Sequence, residues 1–253
     1  MLRSIDSLTG YRLSASDGEI GRCRDFLFDD RDWTLRYMVA DTGGWLSSRK
    51  VLISPLALLT PDWATQHFPV ALTREQIEQS PPLDAHAPVS REYEIAYHQY
   101  FAMPYYWAGA ERWGAYPDPA GVVRPVPTPP PEPPPELEPQ DRHLRSTAEV
   151  AGYGVHTDEG EAGSLHDFIV DDSSWEIRFL VIDTRRWLPG GKVLVPADLI
   201  DSVDWTRREV HCRLDPELVR NSPPYDPAQP INVQYERRLY DYYGRPLPPG
   251  EKS

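Results

Sequence analysis

The chain has 253 residues, enough for two ordinary domains that each bury a modest core. Forty per cent hydrophobic residues, with eight Trp and fourteen Tyr, argue against wholesale disorder. A net charge of -13 disfavours a nucleic-acid backbone or an anionic lipid surface as main partner, because both recruit clustered Lys and Arg.

The opening residues MLRSIDSLTGYRL lack the apolar stretch of a secretory signal. No run approaches the roughly 18 to 20 apolar residues that span a bilayer, so a soluble, cytoplasmic protein without membrane insertion is expected. Residues 4 to 12 and 21 to 28 read as two strands around the turn signal Asp17-Gly18. DDRDW then favours a turn, and TLRYMVADT reads as a strand that is apolar on both faces and deep within a covered sheet. WLSSRKVLI makes a further hairpin, and Phe68, Val70 and Leu72 alternate as a fifth strand. Thr73 with Gln76 forms a capping box for a short helix, and SREYEIAYHQYF reads as a tyrosine-rich amphipathic helix.

The same series then repeats. DFLFDDRDWTLRYMVADTGGWL at 25 to 46 returns as DFIVDDSSWEIRFLVIDTRRWL at 167 to 188, without a gap. At the same offset of 142, LRS at 2 to 4 meets LRS at 144 to 146, and SPPLD at 80 to 84 meets SPPYD at 222 to 226. A unit of about 100 residues is duplicated, far longer than a solenoid repeat. Between the copies, PDPAGVVRPVPTPPPEPPPELEP cannot join a sheet or a helix interior, because proline fixes φ and removes amide donors. A polyproline-II tether reaching on the order of 70 Å is expected there. The expected organisation is a first repeat at 1–104, an aromatic segment and Pro-rich linker at 105–141, a second repeat at 142–246 and a tail at 247–253.

The blocks DGEIGRCRDFLFDD, WTLRYMVADT and WLSSRKVLISP, with their second copies, resemble the PRC-barrel family, known from the cytoplasmic barrel of the photosynthetic reaction centre H subunit. The resemblance covers both repeats. It implies a mainly β protein of two small PRC-type barrels with short C-terminal helices, of bacterial type and used for protein assembly.

Asp29, Asp30 and Asp32 read as turn residues, since only two of the three recur as Asp171 and Asp172. Asp25 and Asp167 lie on partly apolar strand faces and need partners; Arg36 and Arg178 on the neighbouring strand are the ion-pair candidates. Trp45, Trp187, Tyr97, Tyr100 and Tyr242 are candidates for contact with a partner, as aromatic residues dominate interface energetics. None of the seven histidines recurs between copies, and Cys23 and Cys212 stand opposite Leu165 and Val70. With no nucleophile elbow, phosphate loop, HExxH or CxxC, no catalytic, cofactor or metal residue is assigned. The expected role is a non-catalytic assembly or adaptor module, paired within the chain or as a homo-oligomer, with an unknown protein partner and no nucleic acid. The alternative is a small-ligand or metal-binding module using the cleft between the barrels.

Overall fold

The computed structural model describes residues 1–46, 49–83, 88–122, 143–184 and 191–247, apart from the side chain of Trp45. The first-repeat strands are β1 (Leu2–Ser4), β2 (Arg12–Ala15), β3 (Gly18–Asp29), β4 (Thr34–Asp41), β5 (Lys50–Ile53) and β6 (His67–Pro69). Those of the second are β7 (Leu144–Ser146), β8 (Gly154–Thr157), β9 (Gly160–Asp171), β10 (Ile177–Asp183), β11 (Lys192–Pro196), β12 (Ile200–Asp204) and β13 (Glu209–Cys212). The helices are α1 (Ile5–Leu8), α2 (Arg74–Glu78), α3 (Arg91–Tyr100), α4 (Thr147–Val150), α5 (Pro216–Arg220) and α6 (Val233–Tyr242). The protein is mainly β, and no helix among the described residues is long and apolar enough to cross a membrane.

Two compact units result. The first holds residues 7–146 and 173–176, the second residues 1–6, 147–172 and 177–253. In the first unit the strands run β5-β4-β3-β2-β6, with β7 added to β3. In the second they run β11-β10-β9-β8-β13-β12, with β1 added to β9. Both paths are open among the described residues. β3 and β9 organise their sheets because each is 12 residues long. β4 pairs along β3 from Arg22 to Asp29, while β2 takes its beginning and β7 its end.

The units do not coincide with the two repeats. Strand β1 leaves its own repeat and pairs with β9, with Leu2 opposite Asp171 and Ser4 opposite Ile169. Strand β7 makes the matching departure, with Leu144 opposite Asp29 and Ser146 opposite Leu27. The strand expected over 4 to 12 is therefore broken. Ile5 to Leu8 form a helical turn with both apolar ends buried, and Gly10, at φ +89°, redirects the chain into β2.

Both exchanged strands are tied in the same way. Ser146 Oγ donates to Asp25 Oδ2 at 2.6 Å, and Ser4 Oγ donates to Asp167 Oδ2. Arg145 pairs with Asp30 and Arg3 with Asp172, each at 3.1 Å. A hydrogen bond to a charged group contributes about 1.5–3 kcal/mol. Ser146→Ala is accordingly expected to lower stability by about that amount in urea unfolding, and Ser4→Ala likewise; an unchanged midpoint in both would remove these ties from the account.

The core of the first unit is built from Leu13, Ile20, Phe26, Phe28, Leu35, Met38, Ile53 and Phe68, all at most 1% exposed. Trp175, the end of the turn expected from DDSSW, sits at φ +61° with its ring near Phe26 and Phe68. Trp33 holds the equivalent place at φ +53° and stacks on Phe28. A left-handed backbone at a bulky residue costs on the order of 1–3 kcal/mol, and burial of the ring offsets that cost.

Candidate functional site: a buried polar cluster in the first unit

Helix α3 starts at Ser90, whose side chain accepts from Tyr93 N, and spacings of three and four bring Arg91, Glu94, Tyr97 and His98 inward. All four are buried, against Tyr37 on β4 and against Tyr106 and His143 from outside the regular elements. Glu94 is the hub. Its Oε1 accepts from the Tyr106 hydroxyl at 2.7 Å and lies 3.2 Å from the Tyr37 hydroxyl; its Oε2 is 2.9 Å from Arg91 Nη1 and 3.4 Å from His143 Nε2.

The histidine tautomers follow from their partners. His98 Nδ1 lies 2.7 Å from the Pro104 carbonyl, which can only accept, so Nε2 accepts from Tyr37 at 3.0 Å. His143 Nδ1 lies 3.3 Å from Arg91 Nη2, which can only donate, so Nε2 donates to the Tyr106 oxygen at 2.8 Å. Tyr37 has one hydroxyl proton and two acceptors, His98 Nε2 and Glu94 Oε1. A proton on Glu94 completes the set, and burial holds Glu94 up to about 7, only partly opposed by Arg91. Burial likewise lowers His98 to about 4 and His143 to about 3, so both rings are neutral. Asp29 is pushed up to about 6 by burial and then by Asp32.

Two arginines cover the cluster. Arg36 lies over the Tyr106 ring at 3.9 Å and Arg91 over Trp107 at 4.0 Å. Arg36 also bonds Asp32 and the Arg112 carbonyl, and its Nε is 3.9 Å from Asp29 Oδ2. Arg112 donates to the Asp32 carbonyl and Thr34 Oγ1, and Trp113 Nε1 donates to the Ser174 carbonyl. The aromatic stretch from Tyr105 to Trp113, expected as part of the linker segment, is thus folded into this unit, where Tyr105, Tyr106 and Trp113 are buried.

The second unit keeps only the centre of the arrangement. Arg178 Nη2 pairs with Glu236 at 2.7 Å and lies 3.3 Å from the Tyr240 hydroxyl. Phe179 replaces Tyr37, Leu239 replaces Tyr97 and Val233 replaces Arg91. The cluster is therefore an elaboration of the first repeat.

The candidates from the sequence are placed differently from expectation in several cases. Arg36 is bonded by Asp32 and Arg178 by Glu236. The register sets Asp25 opposite Val39 and Asp167 opposite Val181, three residues along the strand from each arginine, a backbone separation of about 10 Å. The two aspartates accept from the serines of the exchanged strands and from the amides of Phe26 and Phe168. Tyr97 is fully buried, donating to the Leu52 carbonyl and accepting from Ser54 N, which removes it as a surface contact. Tyr100 is 40% exposed and donates to the Gln76 carbonyl; Tyr242 is half-buried and donates to the Leu218 carbonyl. The Trp45 side chain and Trp187 lie outside the described residues. Cys23 and Cys212 are buried, and burial raises both thiols, Cys212 to about 11. Among the described residues no group of three or more His, Cys, Asp or Glu is arranged to hold a metal ion.

Sequence reasoning missed Glu94 and His143. The recurrence of Tyr93-Glu94 as Tyr235-Glu236 was a usable signal for the first, since an acid kept on the inward side of an amphipathic helix must meet a partner. No comparable signal exists for His143, which stands where the other copy has Met1.

Open surfaces lie elsewhere. In the second unit a cleft of about 540 Å³ is lined by Pro224, Tyr225, Pro230, Ile231, Tyr235 and Arg238, among others. In the first, a smaller one of about 320 Å³ is lined by Leu72, Gln76, Tyr100, Phe101 and Met103, among others. The fold and these sites define a duplicated, mainly β protein with a buried polar cluster in one unit and, in each, an open cleft of mixed aromatic and polar lining. No protein-family model matches the chain, and no curated protein matches it.

Proposed function

We propose that the chain is a non-catalytic assembly or adaptor module built from two PRC-type β-barrels. The carrying observation is the separation of its chemistry from its open surfaces. The acid and the two histidines of the first unit's polar cluster, Glu94, His98 and His143, are buried and bonded to one another or to tyrosines and arginines. The open clefts instead present Tyr, Phe, Pro, Ile and Met beside polar residues such as Gln229, Asn232 and Arg238, a mixture suited to holding a partner's side chains. The barrel reading is supported by β-bulges at matching places in β3 and β9, since bulges bend a strand and increase its twist. The expected cytoplasmic location belongs to the same reading.

The test is cross-linking from photoreactive groups placed at Tyr100 and at Arg238 in the full chain, in the cells that produce it. A defined protein partner captured from either place, and lost on Leu72→Asp or Ile231→Asp, is the expected result. Absence of any partner from both places would overturn the adaptor reading. The cleft of the second unit also favours a small-ligand reading. Native mass spectrometry of the protein from its own cells separates the two: mass beyond the polypeptide, lost on Tyr235→Ala, selects the ligand.

A further inference from the structure

We propose that the two repeats are obligate partners within one chain, each completing the other's sheet with its first strand. Each unit contains a strand taken from the opposite repeat: β1 in the second unit and β7 in the first. Both strands carry the same three residues, Leu-Arg-Ser, and both take the same register on the end of a 12-residue strand. Both end in a serine that binds a carboxylate set one residue before Phe26 or Phe168. Two independent copies of one arrangement show that the sheet ends are built to receive this strand.

The arms are not interchangeable, which gives the exchange a direction. His143, immediately before β7, is 2% exposed and meets Tyr106, Arg91 and Glu94 with its ring nitrogens. The other arm has Met1 at this place, a side chain that supplies neither a ring donor nor a ring acceptor. Without His143, Arg91 Nη2 would lose its ring acceptor in a buried setting, while the Tyr106 hydroxyl would keep only Glu94 and Arg91. The second repeat's arm therefore belongs in the first unit.

A cross-link in the full chain tests this. The Asp172 amide donates to the Met1 carbonyl, which makes Leu2 and Asp171 a non-hydrogen-bonded antiparallel pair. Such a pair brings its Cα atoms to about 4.5 Å, inside the range a disulfide spans. Leu2→Cys and Asp171→Cys are introduced with Cys23→Leu and Cys212→Val, the residues of the opposite copy, and a specific protease site is placed within 123–142. After folding, oxidation and cleavage, the expected result on a non-reducing denaturing gel is one band of full chain mass, which reduction splits into two fragments. Without the cysteine pair, the severed chain is expected to sediment as a single species containing one copy of each fragment. Fragments that separate on the non-reducing gel, or in sedimentation without denaturant, would overturn the proposal. So would a product of twice the chain mass before cleavage, because the exchange would then run between chains.

Discussion

Glu94→Ala is expected to be among the most damaging single substitutions in the chain, costing about 3 kcal/mol or more, because it leaves buried hydrogen-bonding groups without a partner at about 1–3 kcal/mol each and more for a charged one. Arg91 would lose the carboxyl oxygen 2.9 Å away, and Tyr106 the acceptor of its hydroxyl proton. Neither group can turn to water, since both are buried. Glu94→Gln keeps an oxygen for Tyr106 and removes the ionised form, so its cost at neutral pH is expected to be smaller.

The comparison with pH separates the charge from the packing. The folded chain keeps a proton on Glu94 up to about pH 7, whereas an unfolded glutamate releases it near 4.5. This group's contribution to stability is thus complete below about pH 4.5 and lost as pH rises to about 7. His98 and His143 run the other way. Unfolded histidines take up protons below about 6.5, while the buried ones refuse them until about 4 and 3. Their contribution is complete above about 6.5 and lost as pH falls. The two trends oppose one another between about pH 4.5 and 6.5. In Glu94→Gln one opposing contribution is gone, so stability should fall more steeply on going from pH 7 to pH 4.5 than in the unmodified protein. Urea unfolding across that range reads the difference; parallel profiles would mean that Glu94 holds no proton in the folded state.

Gly21→Ala is expected to cost about 3 kcal/mol or more, with loss of cooperative unfolding as the severe outcome. A Cβ at Gly21 would lie 1.9 Å from the Asp41 carbonyl oxygen, and the residue sits at φ +146°. Backbone cannot move aside as a flexible side chain does, so β3 would have to part from β4 at Arg22 and Asp41, where they pair. Gly163 repeats the situation in the second unit at φ +154°, with Asp183 O at 2.6 Å. Gly10→Ala serves as the control: its φ is +89°, yet nothing lies within 4 Å of the added atom, so it should carry backbone strain alone. Equal losses at Gly10 and Gly21 would show that conformation, and not close approach of the strands, decides the cost.

Much of the local structure was legible in the letters because short-range physics decides it. Thr73 and Gln76 form the expected reciprocal cap, with Thr73 Oγ1 accepting from Gln76 N and Gln76 Oε1 from Thr73 N. The doubly apolar TLRYMVAD is buried along almost its whole length. The duplication follows from the offset alone, and the matching β-bulges in β3 and β9 follow from the duplication.

The partners of the polar residues were not legible in the same way. Arg36 and Asp25 are adjacent in any sketch of two neighbouring strands, and a one-residue shift between Cys23 and Asp25 sets Asp25 opposite Val39, further along the strand from Arg36. Tyr97 and Tyr100 share one helix, three residues apart, yet one is buried and the other 40% exposed. Amphipathic spacing defines a face but not the acceptor, here the Leu52 carbonyl, that draws a tyrosine hydroxyl inside.

By itself, then, the sequence determined that one strand-rich unit occurs twice, where its turns and helix caps fall, and that proline separates the copies. Only the tertiary structure decided which copy each Leu-Arg-Ser strand completes and what Asp25, Asp167 and Glu94 hold. The physical reason is the identity of the two strands. Residues 2–4 and 144–146 carry the same side chains, so local preference cannot tell β3 from β9. The choice rests on contacts far apart in the chain, such as Ser146 with Asp25, 121 residues away, and His143 with Glu94 on the far side of the linker from α3.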